Sequence, residues 1–355
     1  MVAAVRAFAA GALAMLLGAC AAGPQTMRYA ANGSQELHVW PAPQTQEVPR
    51  YRYLGELTGQ GNFAGGDGPG AQARRVLSLL VGLDERGADP VVLQRPQSGT
   101  VDAAGRVLVT DVSRRAVFVF DEQRGLLSVW EDAGPQLRFE APIGIAAGRD
   151  GEVLVTDANL RRVVRLDRDG KPLGAFGERV LRRPTGIARD PARGLVFVAD
   201  THAHDIKVFD DDGRLVDTVG HRGDGPGEFN FPTHLSYARG RLYVTDNLNA
   251  RIQVLTASGE VALRFGERGL FVGNLVRPKG VATDDEGNIY VVESLYDTLL
   301  VFDPDGRLLL SIGGTGAGLG KFFLPAGVWV DARNRVFVAD MFNGRVVMFH
   351  FLGGS

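Results

Sequence analysis

An apolar, strand-like segment that ends in an acidic residue occurs six times in this chain of 355 residues. The segments read VLVTD, VLVTD, VFVAD, LYVTD, IYVVE and VFVAD. Their final acids are separated by 46, 43, 46, 47 and 47 residues. A period of this length with strand chemistry inside it predicts a repeat architecture. The six acids are Asp111, Asp157, Asp200, Asp246, Glu293 and Asp340.

Each repeat contains the signals of four short strands. A proline begins the first strand, the acidic segment forms the second, and two further apolar runs follow, separated by turns such as Asp169-Gly170 and Asp305-Gly306. Short β-branched strands without a crossover helix form antiparallel meanders. Four-stranded units that repeat radially are propeller blades. The sequence therefore predicts an all-β fold, a six-bladed β-propeller of four-stranded antiparallel blades.

The sixth repeat lacks its fourth strand, and a matching strand stands near the other end of the chain. The last repeat runs out after the apolar segment 345–351, whereas residues 51–63 (YRYLGELTGQGNF) match the fourth strand and loop of the other repeats. We expect residues 51–58 to complete the last blade. This N-terminal strand would cover an edge that otherwise invites aggregation.

These repeats resemble the NHL-repeat family of six-bladed β-propellers, in its bacterial lipoprotein type. The resemblance covers residues 51–351 and rests on the proline, the glycine two residues later and the VxD strand, which agree in phase along the chain. It implies the same propeller fold. The family's Asn-His-Arg element is altered here, since Asp205 follows His204 and the fifth repeat has Thr298 at this place.

The first residues predict export and lipidation. Arg6 precedes an apolar stretch that is too short to span a bilayer and ends in Leu-Gly-Ala-Cys at Cys20, which resembles a bacterial lipobox. We expect a signal peptide at 1–19, lipidation of Cys20, a flexible tether at 20–49 and the propeller at 50–355. The resemblance to enterobacterial lipoproteins implies that Ala21 after the cysteine, in place of aspartate, directs the chain to the outer membrane of the cell envelope. The alternative is an ordinary secretory signal with an incidental cysteine.

One segment interrupts the repeat pattern. Residues 70–83 place Val76, Leu79, Leu80 and Leu83 at helical spacing. We expect one short inserted helix that packs on a face of the propeller. The alternative is a lid or docking helix.

The net charge of −2 argues against recruitment of nucleic acid. With 45% hydrophobic residues the chain can bury one large core. We expect a monomer with no nucleic-acid partner.

Four of the six histidines, His202, His204, His221 and His234, fall within one stretch. Together with Asp205, Asp224 and Glu228 they suit zinc or another divalent metal. Their spacing matches no zinc motif, so the alternative is that they are exposed or packed in loops. His234 also stands where most repeats keep a glycine, which makes it a candidate functional residue.

Related propeller enzymes offer a second comparison. The resemblance to peptide-amidating lyases implies zinc-binding histidines directly after the blade prolines, but the matching residues here contain none. Six-bladed lactonases bind a divalent ion such as Ca²⁺ through Glu, Asn and Asp, and Glu293, Asn247 and Asn249 are the candidates for that role. The post-proline residues are Gln97, Ile143, Thr185, Thr233, Lys279 and Ala326.

The sequence favours a non-enzymatic binding or scaffolding module for an envelope protein or glycan, without a cofactor. The alternative is a metal-dependent hydrolase or lyase of lactonase type. Most strand-end acids are interpreted as structural caps, whereas Glu293 departs from the repeat and is a functional candidate. Together with Glu293, the expected binding face carries Arg115, Arg162, Arg251, Arg268 and Arg345.

Overall fold

A computed structural model describes residues 27–29, 38–45, 47–63 and 90–353. It confirms the predicted six-bladed β-propeller of antiparallel blades. The predicted signal peptide, Cys20 and the predicted helix at 70–83 lie outside the described residues. In the part of the chain that is described, no helix has the length and hydropathy that a membrane span requires.

Blades 1 to 3 follow one another along the chain, and the first strand of each blade lies against the first strands of its neighbours around a central channel. Their four strands, from the channel outwards, run as follows. Blade 1 has Pro96–Val101, Val107–Asp111, Ala116–Asp121 and Leu126–Trp130; blade 2 has Pro142–Ala147, Val153–Asp157, Arg162–Leu166 and Pro172–Phe176; blade 3 has Pro184–Asp190, Leu195–Asp200, Asp205–Asp210 and Leu215–Val219.

Blades 4 to 6 complete the ring, and a two-stranded hairpin lies between blades 1 and 2. Blade 4 has Pro232–Ala238, Arg241–Asp246, Arg251–Leu255 and Val261–Phe265; blade 5 has Pro278–Thr283, Ile289–Glu293, Thr298–Phe302 and Leu308–Gly313; blade 6 begins with Val328–Val330, Arg335–Asp340 and Arg345–Phe351; the hairpin pairs Asp132–Gly134 with Leu137–Arg138. Short 3-10 turns occupy 43–45, 60–63, 149–151, 247–249 and 341–343.

The predicted closure of the ring is confirmed. The strand Tyr51–Leu57 pairs antiparallel with Arg345–Phe351 as the fourth strand of blade 6. Glu56 Oε2 lies 2.7 Å from Arg345 Nη1 across this pair. A fifth strand, Val39–Trp40, pairs with the start of Tyr51–Leu57, so this part of the predicted tether is packed on blade 6.

The core consists of six apolar clusters, one at each contact between neighbouring blades. The second strands are buried on both faces because each blade is covered by a neighbour on either side, whereas the fourth strands of blades 1 to 5 are mostly exposed or partly buried. The cluster between blades 6 and 1 includes Leu57 from the closing strand and Phe118 from blade 1. Ring closure therefore contributes to the core as well as to strand pairing.

The strand-end acids hold the loops that connect the blades. Asp157 accepts hydrogen bonds from the backbone N–H groups of Glu140 and Ala141, which precede the blade proline, and of Asn159 and Leu160 beyond it. Asp111 and Asp200 bind the equivalent N–H groups in blades 1 and 3. Each carboxylate is fully buried. The interpretation of these acids as structural caps is confirmed.

The two ends of the ring differ in the connections they carry. One face, here called the loop face, carries the connections between blades and the loops from second to third strands, where the acids lie. The opposite face, here called the hairpin face, carries the turns that join first to second strands. The candidate site opens on the hairpin face.

Candidate functional site

A cavity of about 650 Å³ lies in the central channel, and the first strands of all six blades contribute to its walls. It extends from His234, near the middle of the channel, to the hairpin face, where Pro191, Asp285 and Ala332 line it and are exposed. Its volume falls in the range of small-molecule sites, about 300–1,000 Å³. We call it the channel cavity.

Unpartnered polar atoms concentrate at the channel cavity. Thr283 Oγ1, Trp329 Nε1 and both ring nitrogens of His234 are buried and have no hydrogen-bond partner among the described residues, and all three residues line the cavity. Thr233 Oγ1, one residue before His234, is in the same condition. Buried polar atoms in native proteins are nearly always paired, so such a set indicates a place where ligand or water completes the bonds.

Two of these side chains stand at positions where the neighbouring blade comes close. Four of the other blades have glycine in place of His234, because a Cβ there would meet the first strand of the next blade or a closely packed side chain. Trp329 lies over Gly99 of blade 1, where any side chain would overlap the indole. Its ring stacks on Phe337 at 5.4 Å between centroids, which fixes its orientation.

The cavity presents neutral polar groups. Burial, reinforced by the nearby Lys279, lowers the pKa of His234 to about 3, so its imidazole is uncharged at ordinary pH. A neutral imidazole offers one donor and one acceptor. Burial also lowers the pKa of Lys279, with a smaller effect from Arg277.

The charged residues at the mouth of the cavity are mostly bound to other groups of the protein. Asp284 accepts hydrogen bonds from Tyr290 Oη and Asn288 Nδ2, both at 2.8 Å. Arg189 pairs with Asp211 at 2.6 Å and Asp331 pairs with Arg335 at 2.7 Å. Neutral donors and acceptors therefore dominate the deep part of the site.

The protonation of His234 predicts a pH dependence of stability. The unfolded chain binds this proton near pH 6.5 and the folded protein only near pH 3, so the free energy of unfolding decreases as the pH falls from 6.5 towards 3 and is unaffected above 6.5. At pH 5 the loss is about 2 kcal/mol. His234→Gly introduces the residue that four other blades have at this position, and it is expected to abolish this decrease in the free energy of unfolding. Urea unfolding at pH 7 and at pH 5 measures the effect. Equal pH dependence in both proteins would show that the imidazole is not buried in neutral form.

The structure does not bring the four predicted metal-binding histidines together. His202 and His204 pack edge-on against Phe231, whose N–H donates to His204 Nδ1 at 3.3 Å, and burial is the main cause of the lowered pKa of His204. His221 is exposed and lies 3.3 Å from Glu228 Oε1. His234 lies in the channel. Among the described residues, no group of three or more His, Cys, Asp or Glu side chains is arranged to hold a metal ion.

The predicted binding face is also corrected in part. Arg251 and Arg345 are buried, each bound to the strand-end acid of its own blade at 2.7–2.8 Å and to carbonyl groups of the loop before it. Glu293 is buried and accepts hydrogen bonds from the N–H groups of Val276 and Arg277, as aspartate does in the other blades. These three side chains are structural, so they cannot present an exposed face to a partner.

The remaining arginines of that set are accessible to different degrees. Arg115 is exposed, and Arg162 pairs with Glu178 at 2.9 Å. Arg268 is exposed on the loop face, where Nη2 donates to the carbonyl of Leu248 at 3.0 Å. They do not form one contact surface with the buried members.

The residues considered for a lactonase-like ion site hold loops in place. Asn249 Nδ2 binds Asp246 at 2.8 Å and the carbonyl of Gly223 at 2.9 Å. Asn247 Nδ2 donates to the carbonyl of Pro278 at 2.7 Å. With Glu293 also engaged, this set lines no part of the channel cavity.

Comparison with known proteins agrees with the fold. A family model described as a six-bladed beta-propeller matches residues 191–236 and 274–355. Peptidylglycine alpha-amidating monooxygenase of Rattus norvegicus is 32% identical over 168 residues, which cover 38% of this chain and 17% of that protein. NHL repeat-containing protein 3 of Homo sapiens is 28% identical over 162 residues, 40% of this chain and 45% of that protein. The chain thus spans less than half the length of these relatives.

Among solved structures, a gluconolactonase of Xanthomonas campestris superposes with a TM-score of 0.60. The alignment covers 93% of this chain and 98% of that protein at 16% identity, a level that shows the fold alone. The fold and the family model agree on a six-bladed β-propeller, and the segments matched by sequence are similar to NHL-repeat proteins. The lipoprotein character of the chain remains a prediction.

Proposed function

We propose that this chain is a binding module whose channel cavity holds a small polyhydroxylated ligand, such as a sugar unit of an envelope glycan. The observation that carries the proposal is the set of unpartnered polar atoms on His234, Thr283 and Trp329, three residues that line a cavity of about 650 Å³. Hydroxyl groups both donate and accept, which matches the neutral imidazole, the indole N–H and the threonine hydroxyl of three residues that line one cavity.

The same geometry favours binding over acid–base catalysis. A general acid or base works best with a pKa near the operating pH, whereas that of His234 lies at about 3. Within the part of the chain that the structure describes, no carboxylate is hydrogen-bonded to either of its ring nitrogens. His234 is therefore suited to hold a hydroxyl group and poorly suited to exchange protons with a substrate.

The cellular location of this module is proposed from the sequence. A lipid anchor at Cys20 would hold a monomeric propeller at the outer membrane of the cell envelope, where glycans and envelope proteins are the available partners. A gel-mobility and mass analysis of wild type and Cys20→Ala from a bacterial host tests the anchor. The wild-type chain is expected to carry a diacylglycerol mass at Cys20 that the variant lacks.

Two substitutions test the ligand site. Thr283→Val is isosteric and removes an unpartnered hydroxyl, so it is expected to leave the ligand-free protein as stable as wild type or up to about 1 kcal/mol more stable. Trp329→Phe removes Nε1 but also leaves a cavity beside Gly99, so it is expected to lose about 1–3 kcal/mol of stability. Each is expected to weaken ligand binding about tenfold, because a hydrogen bond to the ligand is lost. The readout is thermal unfolding with a panel of monosaccharides and oligosaccharides, followed by calorimetry on any ligand found.

Thr156→Val is the matched control. Its hydroxyl is fully buried, accepts from the Gly144 N–H at 2.8 Å and donates to the carbonyl of Thr185. This variant is expected to lose about 1–2 kcal/mol of stability and keep wild-type affinity. Ligand affinity that is unchanged in both Thr283→Val and Trp329→Phe would place the ligand outside the channel cavity.

A hydrolase or lyase is the second candidate, favoured by the superposition with a gluconolactonase over 93% of this chain. A screen of lactones and esters with added Zn²⁺ or Ca²⁺ distinguishes the two functions. The binding proposal predicts no turnover above the His234→Gly variant. Turnover that requires His234 would establish the enzyme instead.

A further inference from the structure

The connection between blades 4 and 5 carries three consecutive exposed apolar residues. Leu270, Phe271 and Val272 are 87%, 83% and 74% exposed, among the highest values for large apolar side chains in the described part of the chain. A run of three exposed apolar residues is unfavourable in water, so its presence indicates a functional role. Such patches mark surfaces that contact proteins or membranes.

The sister connections show that this run is specific to one loop. Three inter-blade loops share a Gly-x-x-x-Gly frame, at 223–227, 269–273 and 316–320. The three central residues are Asp-Gly-Pro in the first and Ala-Gly-Leu in the third, whereas the second has Leu-Phe-Val. The frame therefore does not need apolar residues at its tip.

Hydrogen bonds hold the apolar tip in a defined shape. Asn274 Oδ1 accepts from the Phe271 N–H at 2.9 Å, and the Phe271 carbonyl accepts from the Asn274 N–H at 3.0 Å. At the base of the loop, the Leu275 N–H donates to the carbonyl of Glu267 at 2.9 Å. The three side chains are thus presented outwards by an ordered loop.

Neighbouring loops extend the apolar surface across the loop face. Leu248 and Leu295, on the second-to-third loops of blades 4 and 5, are 47% and 45% exposed. Arg268 binds the carbonyl of Leu248, and Tyr296 Oη donates to the carbonyl of Gly269 at 3.1 Å, so both loops adjoin the apolar tip. Phe323 and Phe342 continue the surface on blade 6, with their rings 5.5 Å apart.

Exposed cations flank the apolar tip. Arg268 precedes it by two residues and Arg277 follows it on the same connection, and both are exposed. Apolar side chains with arginines at their edge suit the membrane interface, where the chains enter the acyl boundary and the guanidinium groups meet phosphates.

The N-terminal segment indicates which partner lies at this face. The Arg28 N–H donates to the carbonyl of Asn62 at 2.6 Å, and Asn62 belongs to the connection between the closing strand and blade 1. Asn62 therefore places Arg28 near the loop face. Cys20 precedes Met27 by seven residues, a reach of about 25 Å when extended. A lipid anchor at Cys20 would thus draw the loop face towards the bilayer.

We propose that the loop face docks on a phospholipid bilayer through the inserted side chains of Leu270, Phe271 and Val272. The apolar loop and its arginines carry this inference, and the proposed lipidation of Cys20 supports it. Docking in this orientation turns the hairpin face, and with it the mouth of the channel cavity, away from the membrane.

Tryptophan fluorescence tests the insertion directly. The full chain with Phe271→Trp is mixed with vesicles of phosphatidylethanolamine and phosphatidylglycerol that carry bromine on their acyl chains. The matched control is Leu173→Trp, a residue 54% exposed on the fourth strand of blade 2, with the three native tryptophans as common background. The variant is expected to show a blue shift and at least about twofold more quenching than the control. Equal quenching in both proteins would overturn the proposal.

A graft from the sister loop tests the apolar tip without placing a tryptophan in it. Leu248→Trp reports on the same face, and residues 270–272 are changed to Asp-Gly-Pro, the tip at 224–226. The bromolipids are expected to quench this reporter in the protein with the native loop. The quenching is expected to be lost in the protein with the grafted loop. Retained quenching would overturn the role of the loop. Neither experiment uses the channel ligand, so the outcome of both is independent of whether the binding proposal is correct.

Discussion

Replacement of Asp157 by alanine is expected to lower the free energy of unfolding by about 3–5 kcal/mol. This carboxylate is fully buried and accepts hydrogen bonds from four backbone N–H groups, those of Glu140, Ala141, Asn159 and Leu160. Alanine would leave these donors without a partner where water has little access. Urea unfolding of the purified variant measures the change.

Two further variants define the cause. Asp157→Asn keeps one acceptor oxygen and is expected to lose less stability than alanine, about 2–3 kcal/mol. Asp169→Ala, at an exposed turn of the same blade, is expected to change stability by less than about 0.5 kcal/mol. A loss below about 1 kcal/mol for Asp157→Ala would show that the repeated acids do not hold the inter-blade loops.

A chain that begins at Thr58 is expected to fail as a soluble monomer. It lacks the strand Tyr51–Leu57, so Arg345–Phe351 becomes an unpaired edge of seven residues. Burial of Tyr51 and Leu57 is lost, at about 1.5–3 kcal/mol each, and Arg345 loses its ion pair with Glu56. An exposed apolar edge of this kind promotes aggregation.

A chain that begins at Met27 is the control, because it keeps the closing strand and the strand Val39–Trp40. Size-exclusion chromatography and thermal unfolding compare the two truncations. The longer chain is expected to be monomeric with a cooperative transition, and the shorter one to elute as aggregate. Equal behaviour would contradict the role of Tyr51–Leu57 in closing the ring.

The frame of the propeller was predictable because each blade repeats the same physical requirements. An acid must cap each loop, and a strand must cover each edge, so the six acids and the segment 51–58 could be recognised in sequence. Glu293 follows the same rule with a longer side chain, which reaches the N–H groups of Val276 and Arg277. Its departure from aspartate is therefore structural, and the prediction that Glu293 is a functional residue of an exposed face is wrong.

The sequence gives the spacing of the arginines from the strand-end acids, but it does not predict whether they are buried. Arg251 and Arg345 follow their strand-end acids by five residues, and this spacing closes an ion pair within the blade. The spacing was available in the sequence, but it does not reveal whether a guanidinium faces solvent. Burial by the preceding loop decides that, and it depends on contacts between residues more than 20 positions apart.

The channel cavity could be predicted only in part. His234 was recognisable because it replaces a glycine of the repeat. Thr283 and Trp329 carry no such sign, since threonine and tryptophan are ordinary residues of strands. Their proposed role depends on the convergence of the first strands of six blades on one channel. The apolar tip at 270–272 was detectable by aligning the three Gly-x-x-x-Gly loops with one another.

The most direct test of the binding proposal is a crystal structure of the protein with a sugar identified in the thermal panel. The account predicts electron density for the ligand in the channel cavity, with hydroxyl groups within hydrogen-bond distance of a His234 ring nitrogen, Trp329 Nε1 and Thr283 Oγ1. Density for the sugar on the loop face, with an empty channel cavity, would contradict it.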